Sequence, residues 1–231
     1  MSNIAVSIIL TAHREGLLTG PTVNSLKAAL RHYSQNSGDN AEVIVVLDRS
    51  DSLTEDSLRH ALDGVARFYQ TDCGDPGQAR NAGIQRATGR FSTFLDADDL
   101  WSENWITEAT KRAMSQPIGI YHSHCNVIFG DERNIWWHID SDSPLFDPLY
   151  LHWANYWDAM SFAETAIFRR IPFRPIDLRG GFGHEDWDWN CLTIDANIPH
   201  KAVYGTIHYK RRRAQSQMAQ VASADCVVRP D

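Results

Sequence analysis

The sequence lacks the features of secreted, membrane-spanning or disulfide-stabilised proteins. It has only four cysteines among 231 residues, and none of them stands in a CxxC or zinc-finger spacing, which predicts reduced thiols. The first ten residues, MSNIAVSIIL, contain no basic leader and no cleavage site, and their apolar run is far shorter than the roughly 20 residues of a membrane span. We therefore expect no signal peptide, no transmembrane segment and a cytoplasmic location, with peripheral contact with a membrane as the alternative.

Positive charge is also scarce. The chain has 22 Lys and Arg residues against 29 Asp and Glu residues, which gives a net charge of -7. This balance argues against a nucleic-acid partner, although the basic run 210–213 could hold one anionic ligand. The sequence has no repeat, low-complexity tract or linker, and its length suits one large α/β domain, so we expect residues 1–231 to form a single domain.

Apolar runs alternate with helical patterns through the first half of the chain. The predicted strands are Ala5–Leu10, Glu42–Leu47, Arg67–Gln70 and Phe91–Leu95, and the predicted helices cover 22–33, 52–68, 78–88 and 103–114. From residue 117 the pattern changes, because 118–129 and 134–139 look extended and are joined by a turn, as in a hairpin or an edge addition. The sequence therefore predicts an α/β fold with a mostly parallel, Rossmann-like sheet flanked by helices and a mixed, irregular second half.

Three carboxylates, Asp96, Asp98 and Asp99, follow the strand Phe91–Leu95 directly. Ligands of open α/β sheets bind at the carboxyl ends of strands, and several acids at one such end form a natural site for a hard cation. The alternative is a solvated acidic turn in which Asp99 or Ser102 caps the next helix.

A short turn, Asp75-Pro-Gly77, precedes the next notable element. The helix predicted to begin at Gln78 would expose Arg80 and Asn81 in its first turn, where backbone amides also point outward. This end of the helix is expected to favour an anion.

The segment 74–99, GDPGQARNAGIQRATGRFSTFLDADD, resembles the nucleotide-sugar half of the family 2 glycosyltransferases, which share the GT-A fold. Further along the chain, GFGHED at 181–186 resembles the Glu-Asp motif of the same family, and Val6–Glu15 resembles its first strand and the loop that follows. The resemblance implies an inverting glycosyltransferase that depends on Mn²⁺ or Mg²⁺. Its donor would be a UDP-, GDP- or dTDP-linked sugar, and its acceptor a glycan, a lipid-linked glycan or another hydroxyl compound in glycan or polysaccharide biosynthesis.

The resemblance also assigns residues to the donor and the cation. Asp98 would bind the metal, together with Asp96 near the ribose, and His208 is a further candidate ligand. The candidate donor-binding residues are Thr11, His13, Glu15, Asp48, Arg80, Asp96, Lys210 and Arg211, the last two as a phosphate clamp. Thr11, His13 and Leu47 replace a proline, a tyrosine and an acid that are usual in the family, so the nucleobase stays open.

The acid pair Glu185-Asp186 is the candidate catalytic pair. The resemblance implies that Asp186 is the general base for the acceptor hydroxyl, and we expect Glu185 to orient the acceptor. The loop Arg179–Gly183 would let the acids reach a pocket, while the alternative is two acids stabilised by a helix dipole. We expect residues 1–116 to form the donor half, 117–217 the acceptor and catalytic half, and 218–231 a mobile tail.

Two other classes compete with a glycosyltransferase. A nucleotidyltransferase would use a related sheet to make nucleotide sugars, but it needs a Gly-rich loop with Lys or Arg after the first strand, and 13–16 (HREG) matches this poorly. A non-catalytic relic of the fold would bind nucleotides or carbohydrates without turnover, and the intact acids of both motifs argue against it.

Overall fold

The computed structural model of the protein describes residues 4–116, 118–213 and 226–229. Nine strands of these ranges form one sheet, with helices on both of its faces. The strands are β1 (Ile4–Ala12), β2 (Asn40–Asp48), β3 (Ala66–Thr71), β4 (Phe91–Asp96), β5 (Leu100–Trp101), β6 (Ile120–Gly130), β7 (Asn134–Trp137), β8 (Phe162–Glu164) and β9 (His200–Arg212). The helices are α1 (Thr19–Ser37), α2 (Ser52–Ala61), α3 (Pro76–Ile84), α4 (Trp105–Ser115), α5 (Thr165–Arg170) and α6 (Glu185–Asp195).

The first half of the sheet is parallel, in the order β3-β2-β1-β4. Its strands are the near-continuous apolar runs of the sequence, and β1 and β2 each bury six or more consecutive residues. Such runs are typical of strands covered on both faces. The predicted parallel, Rossmann-like half is confirmed.

The second half is mixed, as predicted. Strand β8 joins β4 to β6 through antiparallel pairing, whereas β6 and β9 pair in parallel. The predicted hairpin is confirmed, since β6 and β7 pair from Cys125 with Trp137 to Ile128 with Asn134. Strand β6 is nevertheless an inner strand between β8 and β9, because these partners come from distant parts of the chain.

The sheet separates two apolar cores. Ile8 and Leu10 of β1 face the core formed with α1, α2 and α4, while Ile9 faces the core formed with α3, α5 and α6. A Cβ on Gly83 of α3 would lie 2.4 Å from Ile9 Cγ2, so glycine lets this helix lie close to the sheet. No helix within the described ranges is long and apolar enough to cross a membrane.

Three helices begin at other residues than predicted, because α1 begins at Thr19, α3 at Pro76 and α4 at Trp105. Helix α2 begins at Ser52 as predicted but ends at Ala61 instead of 68, and β3 follows it. Asp75 caps α3 by accepting a hydrogen bond from the backbone N of Gln78 at 3.0 Å, so the helix starts at Pro76. Aspartate is a preferred cap and proline suits the first helical position. Helix α4 starts at Trp105 without a side-chain cap, and the prediction that Asp99 or Ser102 caps it is wrong.

The prediction of a mobile tail at 218–231 is wrong for residues 226–229. Val227 pairs with Phe182 in a parallel bridge, and Val228 packs against an apolar cluster that includes Trp187. Residues 218–225 and 230–231 lie outside the described residues.

Candidate active site

The carboxyl ends of β1 and β4 place two predicted donor residues together. Thr11 and Asp96 are register partners, and Thr11 Oγ1 donates a hydrogen bond to Asp96 Oδ1 at 2.7 Å. The two strands end at the same edge of the sheet because they are parallel. This edge is the predicted location of the donor site.

Arg80 joins that edge to the candidate catalytic acids. Its Nη2 lies 3.1 Å from Asp96 Oδ1, and its Nη1 donates to Glu185 Oε1 at 2.7 Å. The prediction that Arg80 is exposed in the first helical turn is wrong, since it is the fifth residue of α3 and only 2% exposed. The earlier start of the helix moves the guanidinium into the second turn, where it points towards the two acids. Sequence positions 80, 96 and 185 thus meet in one buried ion network.

The acids of this network differ in their pKa. Burial opposes ionisation of Asp96, but Arg80 and Lys210 together hold its pKa below the usual value. Burial raises the pKa of Glu185, and the neighbouring charge of Asp186 adds to this effect. Burial also raises the pKa of Asp186, although Lys210 and Arg80 oppose the shift. A raised carboxylate pKa is what a general base near neutral pH requires.

Asp98 forms an ion pair with Arg213, which was not among the candidate site residues predicted from the sequence. Arg213 Nη2 lies 2.8 Å from Asp98 Oδ2 and 3.8 Å from Glu15 Oε1. Burial and the charge of Asp99 raise the pKa of Asp98 to about 7, against the opposing effect of Arg213. Negative charge is therefore only partly compensated here, which favours a cationic ligand.

The side chains around Asp98 suit a divalent cation that is bound by one carboxylate. Within the described ranges, no group of three or more His, Cys, Asp or Glu side chains is arranged to hold a metal ion. Mg²⁺ in proteins usually takes one or two carboxylates and completes its shell with water and substrate phosphates, so Asp98 fits this demand. Both oxygens of Asp96 already lie 3.2 Å or less from Arg80 Nη2, which leaves Asp96 less available.

His208 is enclosed between two buried carboxylates. Its Nδ1 lies 2.7 Å from Asp158 Oδ2, and its Nε2 lies 3.0 Å from Asp99 Oδ2. Burial opposes a charge on the ring, but the two acids raise the pKa of His208 to about 9. In this conformation both ring nitrogens face the carboxylates of Asp158 and Asp99, and the assignment of His208 as a metal ligand stays a prediction.

Asp158 is the most buried acid of the site, and the sequence did not indicate it as a site residue. It also accepts a hydrogen bond from Asn126 Nδ2 at 2.8 Å and lies 3.6 Å from Lys210 Nζ. Lys210 and His208 hold the pKa of Asp158 well below its usual value in spite of its burial. It precedes β8 in an irregular stretch, where a single aspartate carries no readable signal.

Three side chains of the basic run 210–213 lie in different environments. Lys210 is 11% exposed in its side chain and lies among the acids, within electrostatic reach of Asp186 and Asp96. The guanidinium of Arg211 lies 4.5 Å from the ring centre of Phe129, and its Nε donates to the backbone oxygen of Asp98 at 3.3 Å. Together with Arg213, these side chains supply the positive charge of the site.

Asp48, one of the predicted donor-binding residues, forms hydrogen bonds that stabilise the local fold. It accepts hydrogen bonds from Thr71 Oγ1 at 2.9 Å and from the backbone N atoms of Cys73 and Gly74 at 2.7 and 2.8 Å. His13 lies beside it, with Nδ1 2.6 Å from the Asp48 backbone oxygen. The predicted residues of this region are therefore adjacent, and Asp48 shapes the turn that follows β3.

The acid pair occupies the first turn of α6, which is the position named in the alternative of two acids stabilised by a helix dipole. Asp186 Oδ1 accepts a hydrogen bond from the backbone N of Trp187 at 2.8 Å. The loop before it is closed, because Asp177 and Phe182 exchange two backbone hydrogen bonds of 2.8 Å. Of the two tryptophans that follow the acid pair, Trp189 is 1% exposed and stacks on Phe168 in the core, whereas Trp187 is partly buried.

The described geometry agrees with comparisons to known proteins. The model of the family described as glycosyl transferase family 2 matches residues 7–176, which include the acidic edge and Arg80 but end before the acid pair. An uncharacterized glycosyltransferase of Nostoc sp. is 28% identical over 135 residues, or 56% of this chain and 39% of the relative.

Solved structures resemble the chain over almost its whole length. S. aureus TarS 1–349 in complex with UDP-GlcNAc matches with a TM-score of 0.70 at 18% identity, over 94% of this chain and 61% of that one. Mannosyltransferase PcManGT from Pyrobaculum calidifontis, in complex with GDP-Man and Mn²⁺, matches with a TM-score of 0.65 at 13% identity, over 95% and 60%. At these identities the likeness concerns the fold, and it confirms the predicted GT-A fold. The chain spans about two fifths of the Nostoc relative and about three fifths of each solved chain.

Proposed function

The chain belongs to glycosyl transferase family 2, and we propose that it transfers a sugar from a nucleotide-sugar donor to an acceptor hydroxyl with inversion at the anomeric carbon. The observation that carries the proposal is the ion network of Arg80. This buried guanidinium contacts Asp96 at the donor edge and Glu185 beside Asp186, so residues predicted for donor binding and for catalysis are joined in one ion network.

The donor diphosphate brings concentrated negative charge to an acidic edge, so its binding needs cations. Asp98 would hold Mn²⁺ or Mg²⁺, which when bound neutralises charge on the diphosphate. Lys210, Arg211 and Arg213 lie at the same edge and supply further positive charge. Arg213 Nη2 lies 2.8 Å from Asp98 Oδ2, and we propose that its guanidinium also binds a phosphate of the donor.

The nucleotide would lie along the strand ends at Thr11, His13 and Asp48. A UDP, GDP or dTDP moiety is the expected class, and TarS and PcManGT were solved with donors of the first two kinds. Glu15 borders this region through its contact with Arg213. We propose that residues 1–116 form the donor half and 117–217 the acceptor half.

In the transfer reaction, the attacking hydroxyl of the acceptor and the leaving diphosphate lie on opposite faces of the sugar ring. A base beside the hydroxyl is needed to take its proton. Asp186 takes the proton from the acceptor hydroxyl while the oxygen forms its bond to the anomeric carbon. The bond from that carbon to the diphosphate oxygen breaks, and the electron pair leaves with the nucleoside diphosphate. Attack opposite to the leaving group inverts the configuration. Glu185 orients the acceptor, which we propose to be a glycan, a lipid-linked glycan or another hydroxyl compound of the cytoplasm.

The role of Asp98 gives the first test. We expect the nucleoside diphosphate to bind much more weakly in EDTA than in Mn²⁺, and Asp98→Asn to lose most of this difference, because the carboxylate edge alone repels the diphosphate. Calorimetry with UDP, GDP and dTDP, each with Mn²⁺ and with EDTA, measures the effect.

Asp63→Asn is the matched control, since Asp63 is exposed and precedes β3, at the edge of the parallel sheet opposite to Asp98. It should leave the metal dependence unchanged. Equal affinity of the wild-type protein in Mn²⁺ and EDTA would show that Asp98 holds no metal.

A further inference from the structure

The loop that leads into the acid pair has a partner from the end of the chain. Residues 226–229, which we call the C-terminal strap, lie along the loop 177–183. The backbone N of Val227 donates to the Gly181 oxygen at 2.9 Å, and the backbone N of Gly183 donates to the Val227 oxygen at 3.2 Å. The strap therefore adds a third segment to the bridge between Asp177 and Phe182.

Side chains of the strap strengthen this attachment. Val228 packs against the apolar cluster of Leu151, Trp157 and Cys191, against which Trp187 also packs. Arg229 Nη2 donates to the backbone oxygen of Pro175 at 3.2 Å, and its guanidinium lies 5.3 Å from the ring centre of Phe182. The strap is thus attached to the loop, to Pro175 ahead of it, and to the cluster that includes Cys191 of α6.

His184 connects the loop to the acid pair in an unusual conformation. Its φ of 58° and ψ of 62° are left-handed, which is an unfavourable conformation for a residue with a side chain. Such a conformation persists only where the surroundings hold it. The strap holds it here at two points, because the backbone N of Gly183 donates to the Val227 oxygen and the His184 ring forms a hydrogen bond with the Cys226 backbone.

We propose that the C-terminal strap is a positioning element for the general base. It holds the loop and His184 in the conformation that directs the first turn of α6, and therefore Asp186, into the pocket. The inference rests on the proposed function of Asp186. The donor edge at the ends of β1 and β4 is built by other elements, so the strap should govern turnover and leave donor binding alone.

Val227 allows a test with a matched control. Its side chain is 57% exposed, so Val227→Ala removes little packing and keeps the N–H group that bonds to Gly181. Val227→Pro removes this donor. We expect Val227→Pro to lower kcat by about tenfold or more, with donor affinity within about twofold of wild type, while Val227→Ala behaves like wild type.

The measurements are release of nucleoside diphosphate from UDP-, GDP- and dTDP-linked sugars, calorimetry with the free diphosphates, and hydrogen exchange at the Gly183 amide. Exchange at Gly183 shows whether the strap has left the loop. Arg229→Ala loosens the strap through a side chain alone and provides a second variant in case Val227→Pro fails to fold. We expect its kcat to fall and its Gly183 amide to exchange faster.

The proposal is overturned if Gly183 loses protection in either variant while kcat stays at the wild-type value. Full protection of Gly183 in both variants would overturn it as well, because the strap would then not depend on these bonds. Asp186→Asn, measured alongside, distinguishes a failure of the strap proposal from a failure of the proposed function. An inactive Asp186→Asn protein with fully active strap variants refutes the strap and leaves the function standing, whereas an active Asp186→Asn protein refutes the base.

Discussion

Asp186→Asn is expected to lower kcat by about 10²–10⁴-fold, which is the usual contribution of general-base assistance. Asparagine is nearly isosteric with aspartate and can still accept the hydrogen bond from the backbone N of Trp187. It cannot take a proton from the acceptor hydroxyl. Because the donor edge is unchanged, the dissociation constant of the nucleoside diphosphate should stay close to the wild-type value. Transfer rates and calorimetry on the same preparation separate the two quantities.

Asp195→Asn is the control for this variant. Asp195 is exposed at the other end of α6, so the substitution removes the same charge from the same helix far from the pocket. Glu185→Gln should lower kcat less than Asp186→Asn, since Glu185 orients the acceptor. If Glu185→Gln were the inactive variant and Asp186→Asn kept near-normal turnover, the two roles would be exchanged.

Arg80→Ala is expected to have the second large effect, on stability as well as on donor binding. The substitution leaves Asp96 and Glu185 without their cation in a buried position. Removing one partner of a buried ion network typically costs about 3–5 kcal/mol. We therefore expect the free energy of unfolding at pH 7 to fall by about this amount, and the donor dissociation constant to rise because Asp96 loses its position.

The pH dependence of this loss has a definite sign. Without Arg80 the pKa values of both acids in the folded state rise, so the variant loses stability as pH rises through those values. The deficit against wild type should be largest at neutral pH and should shrink as the pH falls through the raised pKa values of the two acids. Urea unfolding at several pH values measures it.

Arg86→Ala is the matched control for Arg80→Ala. Arg86 follows α3, and its guanidinium lies 4.6 Å from the exposed side of the Tyr69 ring, so its loss should cost about 1 kcal/mol or less. A deficit for Arg80→Ala that is no larger than this, or that does not change with pH, would contradict the buried network.

The donor half could be predicted from the sequence because its signals are local. The strands are short apolar runs, and the acids at 96, 98 and 99 follow one of them directly. Parallel strands bring such ends together without any information about distant contacts. The exposure of Arg80 was predicted wrongly because Asp75 and Pro76 start the helix two residues earlier, which turns the fifth residue inward.

The rest of the site depends on contacts between distant residues. Asp158 meets His208 across 50 residues, and Asp99 meets the same ring across 109. These contacts arise because β6 and β9 pair inside the sheet. The hydrophobic periodicity of a sequence does not indicate which strands become inner strands. Which arginine of the run 210–213 contacts Asp98 depends on the direction in which β9 ends. The basic run in the sequence therefore could not indicate that this residue is Arg213.

Release of nucleoside diphosphate tests the central claim most directly. The protein is mixed with UDP-, GDP- and dTDP-linked sugars in Mn²⁺, and the products are separated over hours, with Asp98→Asn and Asp186→Asn measured in parallel. The account predicts that at least one nucleotide sugar yields its diphosphate, and that both variants release much less. Consumption of a nucleoside triphosphate and a sugar phosphate with release of pyrophosphate, or binding of the nucleotide sugars without any release, would contradict it.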